Sequence, residues 1–202
     1  GNYLFFLSRR TLNPYMASFE ENFLFMNGTK PYLVVLASGK PSPFAPKDSP
    51  NEEDSVDEEA ASGKDAQGKA AEVSAITVDL DGLAGRIAEV PVEAGNCAML
   101  RAASGRIFWL SIPNEGMGAW PEDEDEEREG NASLHSFTIE DGEDHEIALG
   151  IDDYSLSPDA TKICCRSGST FTVIDAAAEG PLSDEEAEET TVDLSAWDTT
   201  VD

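Results

Sequence analysis

Three segments of the chain carry one pattern, a polar turn, a five-residue apolar strand and a serine, and such a unit buries its faces only by stacking on copies of itself. Residues 2–8 (NYLFFLS), 105–111 (GRIFWLS) and 161–167 (TKICCRS) superpose when Ser8, Ser111 and Ser167 are aligned. That register sets Leu4 with Ile107 and Ile163, and Phe6 with Trp109 and Cys165. The last two copies lie 56 residues apart. This is slightly beyond the roughly 40 to 50 residues of common propeller blades, and a long acidic insert accounts for the excess.

The fullest copy spans residues 151–175, IDDYSLSPDATKICCRSGSTFTVID. It reads as alternating YSLS, a turn at Ser157, Pro158, Asp159 and Ala160, apolar TKICC, a tight Ser-Gly-Ser break, and alternating TFTVID, which is the signature of an antiparallel sheet. The same reading along the chain gives strands at 2–7, 32–36, 76–79 and 87–92 in a first unit. A second unit has strands at 97–102, 106–112, 133–139 and 145–149, and a third at 154–156, 162–166, 171–174 and 191–194. The fold class expected is therefore all-β: about three four-stranded antiparallel blades of an incomplete β-propeller, with long acidic loop insertions. The first blade occupies residues 1–94, the second 95–150 and the last 151–198. Three blades do not close a ring, so two apolar faces stay open unless further blades cover them. The chain opens at Gly1 inside a repeat, and Gly1 is not expected to be a natural start.

The formal net charge of −28 is unevenly held. Residues 48–59 and 122–129 carry seven acids each and 184–189 carry five, so the strands themselves are only moderately acidic. Residues 47–72, free of aromatics and rich in charge, read as a disordered acidic insertion in the first blade. Residues 113–132 read as a second acidic insertion. Phosphate recognition needs clustered Lys and Arg, so this balance argues against nucleic acid and anionic membranes as partners. No stretch approaches the roughly 18 apolar residues that span a bilayer.

Residues 9–31 form an unusually aromatic loop. Tyr15, Phe19, Phe23 and Phe25 are candidates for an interdomain contact, because exposed rings in a patch mark interfaces. Phe19 and Phe23, four apart, are placed to share one face of a short helix. The competing reading folds these rings back onto their own sheet.

Covalent catalysis needs a nucleophile, a base within hydrogen-bond reach and a group that orients the base. His135 and His145 fall on expected strands outside any such motif, and no G-x-S-x-G elbow occurs. Cys164 and Cys165 are adjacent on one strand and point to opposite faces. With Cys97 they read as free, buried thiols, and they lack the second pair a zinc site requires. Asp79, Leu80, Asp81 and Gly82 begin like a calcium loop without its later ligands, and read as a polar turn. Asp152 and Ser155 read as turn and blade residues. No catalytic, cofactor or metal residue is assigned.

Four strings follow one another in an order that resembles the bacterial relatives of tricorn protease. They are KPYLVVLASGKPSPFAP (30–46), VDLDGLAGRIAEVPVEAGN (78–96), DDYSLSPDATKICCRSGSTFTVIDA (152–176) and VDLSAWDTTVD (192–202). The resemblance implies the C-terminal part of a second, seven-bladed propeller standing directly ahead of the modules of a serine peptidase, with residues 199–202 starting the linker. It implies that the nucleophilic Ser, the His base and their supporting Ser and Glu lie mostly in those later modules. No family catalytic residue maps onto this chain. The implied partners are the remaining blades and catalytic modules of the same protein, peptide substrates, and further copies in a homo-oligomer. The implied role is to help line a channel that admits unfolded peptides and excludes folded proteins. A cytoplasmic setting is expected, with the periplasm as the alternative. The rival functional class is a non-enzymatic propeller that serves as a protein-interaction module.

Overall fold

The computed structural model of the chain describes residues 1–12, 14–16, 23–45, 76–114 and 130–194. The first sheet has the order β1-β4-β5, made of β1 (Tyr3–Arg9), β4 (Thr29–Val35) and β5 (Ile87–Glu89). A short pair, β2 (Pro14–Met16) and β3 (Phe23–Phe25), stands apart from it. The second sheet runs β6 (Cys97–Ala103), β7 (Arg106–Ser111), β8 (Ala132–Thr138) and β9 (Glu143–Ile151). The third runs β10 (Asp153–Leu156), β11 (Lys162–Ser167), β12 (Thr170–Asp175) and β13 (Thr191–Asp193). All pairs are antiparallel, and both four-stranded sheets follow chain order. This is the meander of a propeller blade, repeated.

The alternation of side chains explains how the sheets stack. β7 is apolar and buried from Ile107 to Leu110 because both of its faces are covered. Ile107 and Trp109 join Val90, Val92, Cys97 and Phe137 in a core against the first sheet, where Phe5, Leu7 and Phe44 pack. Phe108 and Leu110 point the other way, into a core with Leu134, Ile147, Tyr154, Ile163, Cys165 and Ile174 of the second and third sheets. The aligned repeat thus reproduces itself in space. Phe5 and Phe108 face the sheet that follows, while Ile107 and Ile163 face the sheet that precedes.

Polar contacts cross the second joint as well. The Tyr154 hydroxyl lies 2.6 Å from the Met99 carbonyl and 2.9 Å from that of Phe108, so its one hydrogen serves two acceptors. Met99 sits at φ 54 where β6 bulges between Ala98 and Arg101, and the bulge turns its carbonyl toward the neighbouring sheet. Burial drives the Tyr154 phenol well above its ordinary pKa, so it stays a donor. Arg106 Nη1 adds a 3.3 Å bond to the Ala176 carbonyl. Gly130 is required by a close approach: a Cβ there would stand 2.3 Å from the Ile151 carbonyl carbon.

Several expectations need correction. Residues 76–79 form no strand, so the first sheet has three strands among the described residues. The backbone of this segment is engaged otherwise. Asp79 N donates to the Leu36 carbonyl, and the Arg86 guanidinium takes the carbonyls of Asp79 and Asp81 that a ladder would use. The strand expected at 87–92 stops at Glu89, because Pro91 has no N–H to continue the ladder. Phe23 lies in a strand and not on a helix face, pairing with Met16, whereas Phe19 lies outside the described residues. The acidic run near the end holds a helix, α1 (Asp184–Thr190). Ser183 caps it, with its Oγ accepting from Glu186 N while the Glu186 carboxylate accepts from Ser183 N, and three acids occupy the positive first turn. The acidic insertion at 47–72 lies outside the described residues, as does most of 113–132.

Candidate functional site

His135 is held between an aromatic ring and two carboxylates. It stands opposite Trp109 across the β7–β8 pair, and the two rings stack with centroids 5.3 Å apart and planes 15° from parallel. From β9, Asp144 Oδ1 meets Nδ1 at 3.0 Å and Glu146 Oε2 lies 3.9 Å from Nε2. The Asp144 hydrogen bond raises the imidazole pKa, and partial burial opposes it. His145 Nε2 lies 3.5 Å from Glu143 Oε2. The Asp144 hydrogen bond thus orients the His135 ring. The serine directly opposite His145, Ser136, is fully buried, and its Oγ has no hydrogen-bond partner. A hydroxyl sealed between two sheets is not placed to attack a substrate.

The cysteines behave as core and surface atoms. Cys165 and Cys97 are buried, and burial pushes their thiols up to about 12 and about 11. Cys164 is half-buried on the opposite face of β11. Neither buried thiol carries the thiolate that nucleophilic or metal chemistry requires.

The segment Asp79 to Gly82 is a pinned turn. The Asp79 carboxylate accepts from Ser38 N at 2.7 Å and Ser38 Oγ at 2.8 Å, bonds that hold its pKa below the usual carboxylate value. Arg86 bonds the carbonyls of Val35, Leu36, Asp79 and Asp81. The Asp79 carboxylate and the carbonyls of Asp79 and Asp81 are therefore occupied by the protein itself. Asp152 likewise serves a turn, accepting from Gly168 N at 2.7 Å, and Ser155 is exposed on β10. Among the described residues, no group of three or more His, Cys, Asp and Glu is placed to hold a metal ion.

Of the aromatic residues proposed for an interdomain contact, Tyr15, Phe23 and Phe25 lie on the β2–β3 pair, where Tyr15 is opposite Leu24, Pro14 opposite Phe25 and Met16 opposite Phe23. Phe25 is 56% exposed. Leu12 and Met26, which an inspection for rings passes over, are also exposed beside this pair. Phe6 behaves differently. It stacks on Tyr32 at 5.8 Å, and the Arg10 guanidinium lies over both rings, covering part of the first sheet's outer face. On that face Leu4 remains exposed, as do Val173 and Val192 on the outer face of the third sheet.

Three antiparallel sheets stacked face to face in chain order, with bare apolar positions at both ends, define an arc of a β-propeller. The model of the tricorn protease second beta propeller domain matches residues 1–177, and the chain belongs to that family. Two relatives come from Streptomyces coelicolor. Tricorn protease homolog 1 is 26% identical over 202 residues, covering 100% of this chain and 18% of the relative. The second, described as "Putative tricorn protease homolog 2", is 30% identical over 188 residues, covering 89% of this chain and 15% of the relative. The crystal structure of the tricorn protease superposes on 86% of this chain and 15% of its own, with a TM-score of 0.60 and 20% identity, which shows the shared fold. The chain spans less than a fifth of the length of the curated relatives it matches.

Proposed function

We propose that the chain is a non-catalytic propeller segment of a tricorn-like serine peptidase, contributing to substrate access and to assembly with the other blades and the catalytic modules of the same polypeptide. The observation that carries this reading is the arc itself. Two sheet faces with exposed Leu4 at one end and Val173 and Val192 at the other call for neighbouring blades, and a closed ring of blades surrounds a channel. The His135 imidazole is hydrogen-bonded to Asp144 and the serine opposite His145 is fully buried, which supports a structural role for both histidines.

The test is a pair of peptidase assays on fluorogenic peptides. The 202-residue chain alone is expected to release no product, whereas the same chain joined to its peptidase modules hydrolyses peptides and is silenced by a serine-reactive phosphonate. Turnover by the isolated chain, lost in a His135→Gln variant, would sink the proposal. The rival reading, a non-enzymatic interaction module, draws on Leu12, Phe25 and Met26 beside the β2–β3 pair. It predicts that the gene encodes no peptidase module at all.

A further inference from the structure

One asparagine of the chain is followed by glycine: Asn27 stands ahead of Gly28 in the turn that leads from β3 into β4. Asn27 is half-buried at φ 54, in the left-handed region, which is unfavourable for any residue with a Cβ. Among the described residues, the peptide unit between the two neither donates nor accepts a hydrogen bond, so the Gly28 N–H is unengaged. The nearest anchor is a long one, 3.4 Å from Thr11 N to the Gly28 carbonyl. A Cβ on residue 28 would stand 2.8 Å from the Thr11 carbonyl oxygen, which is why glycine occupies the position.

A second observation concerns the side-chain amide. Asn114, exposed just beyond β7, donates from Nδ2 to Asn27 Oδ1 and so links the second sheet to this turn of the first. The donor polarises the Asn27 amide. It also stands where negative charge collects when a nucleophile adds to Cγ, the arrangement by which a fixed N–H stabilises an oxyanion. A nucleophile is at hand in the main chain, since Gly28 N closes a five-membered ring on reaching Cγ.

We infer that Asn27 is a self-modification site, where Gly28 N displaces the side-chain amide with Asn114 as the oxyanion donor, and water completes the change to aspartate or isoaspartate. The inference is independent of the peptidase reading. In the first step the bond from Gly28 N to Cγ forms, the bond from Cγ to Nδ2 breaks, and the Gly28 proton leaves with the amide nitrogen as ammonia. Water then adds to one of the two imide carbonyls. Breaking the bond to Cγ gives aspartate, and breaking the bond to the main-chain carbonyl gives isoaspartate, with the chain running through Cγ. One water is consumed and one ammonia released, with nothing oxidised or reduced. Either product carries a new negative charge. Isoaspartate also adds a methylene to the main chain two residues before Thr29, which exchanges two 2.9 Å main-chain hydrogen bonds with Gly95. The change therefore falls beside a fastening between the first sheet and the segment that enters the second.

The test follows the 202-residue chain and an Asn114→Ala variant at neutral pH in water enriched with heavy oxygen. After digestion, mass spectrometry resolves the peptide carrying Asn27 into amide, aspartyl and isoaspartyl forms. Both acids are expected, each labelled with heavy oxygen, and conversion is expected to run about fivefold more slowly in Asn114→Ala, as the loss of one hydrogen bond to a developing charge requires. In concentrated urea the two chains should convert at the same rate, because the donor reaches Asn27 only in the fold. Equal rates in native buffer, or a faster variant, would overturn the inference, and so would a difference that persists in urea. An Asn27 that keeps its amide in native buffer while the urea-treated chain converts would overturn it as well. Aspartate formed without isoaspartate would do the same, since direct hydrolysis passes through no imide.

Discussion

At the scale of single residues, His135 and Ser136 are neighbours on β8 that face opposite joints and have opposite consequences. The His135 pKa is raised in the fold by Asp144, so protonated His135 stabilises the native state. That contribution is fully present below the unfolded-state pKa and is lost as pH rises through the folded value. The gap in melting temperature between the native chain and His135→Gln is therefore expected to be largest near about pH 5.5 and to close by about pH 8. A gap independent of pH would assign His135 a packing role alone. Ser136 keeps a buried hydroxyl without a partner, a desolvation cost of about 1–3 kcal/mol. Ser136→Ala removes that cost and no hydrogen bond. It is expected to raise the urea midpoint by the equivalent of about 1 kcal/mol, and a lowered midpoint would show that the hydroxyl is satisfied in solution.

Among the elements, strands with an alternating or continuous apolar pattern were legible in the sequence, because a blade buries both faces and leaves that pattern behind. β7, β8, β11 and β12 start or end within a residue or two of their expected bounds. The failures have separate causes. Residues 76–79 alternate like a strand, yet Arg86 takes the carbonyl of Asp79. α1 has no apolar stripe, since it buries no residue, and the periodicity that reveals helices was missing. Its start was nevertheless written as Ser183-x-x-Glu186, a capping box. Ser183→Ala is expected to cost the helix about 1 kcal/mol, visible as faster amide exchange in α1 with β11 unchanged. An equal change in β11 would mean that the helix and the sheet open as one unit.

For the molecule as a whole, the repeat was the most informative signal, because residues aligned in its register occupy equivalent positions in the stack. Phe5 with Phe108, and Ile107 with Ile163, keep equivalent positions in the stack. The candidate site was less legible. Aromatic rings drew notice to Tyr15, Phe23 and Phe25, while the exposed Leu12 and Met26 carry no chemical mark. The stack also predicts how the chain fails. Phe108 is fully buried in the second joint, and Phe108→Ala is expected to cost about 3–5 kcal/mol. That is a large part of the roughly 5–15 kcal/mol that holds a domain together. Chemical denaturation should then split into two transitions, the third sheet separating from the first two. A single shifted transition would show that the joints unfold together.

The stacked pair of Trp109 and His135 has an optical consequence. Indole emission is quenched by a protonated imidazole in van der Waals contact and is little affected by a neutral one. Trp109 is buried in the joint between the first and second sheets, with His135 over its ring and Asp144 holding the proton in place. Its fluorescence should brighten as the imidazole loses that proton and shift to the red when the joint opens to water. The interface between two blades thus carries its own emitter, one that separates a change of charge from a loss of packing.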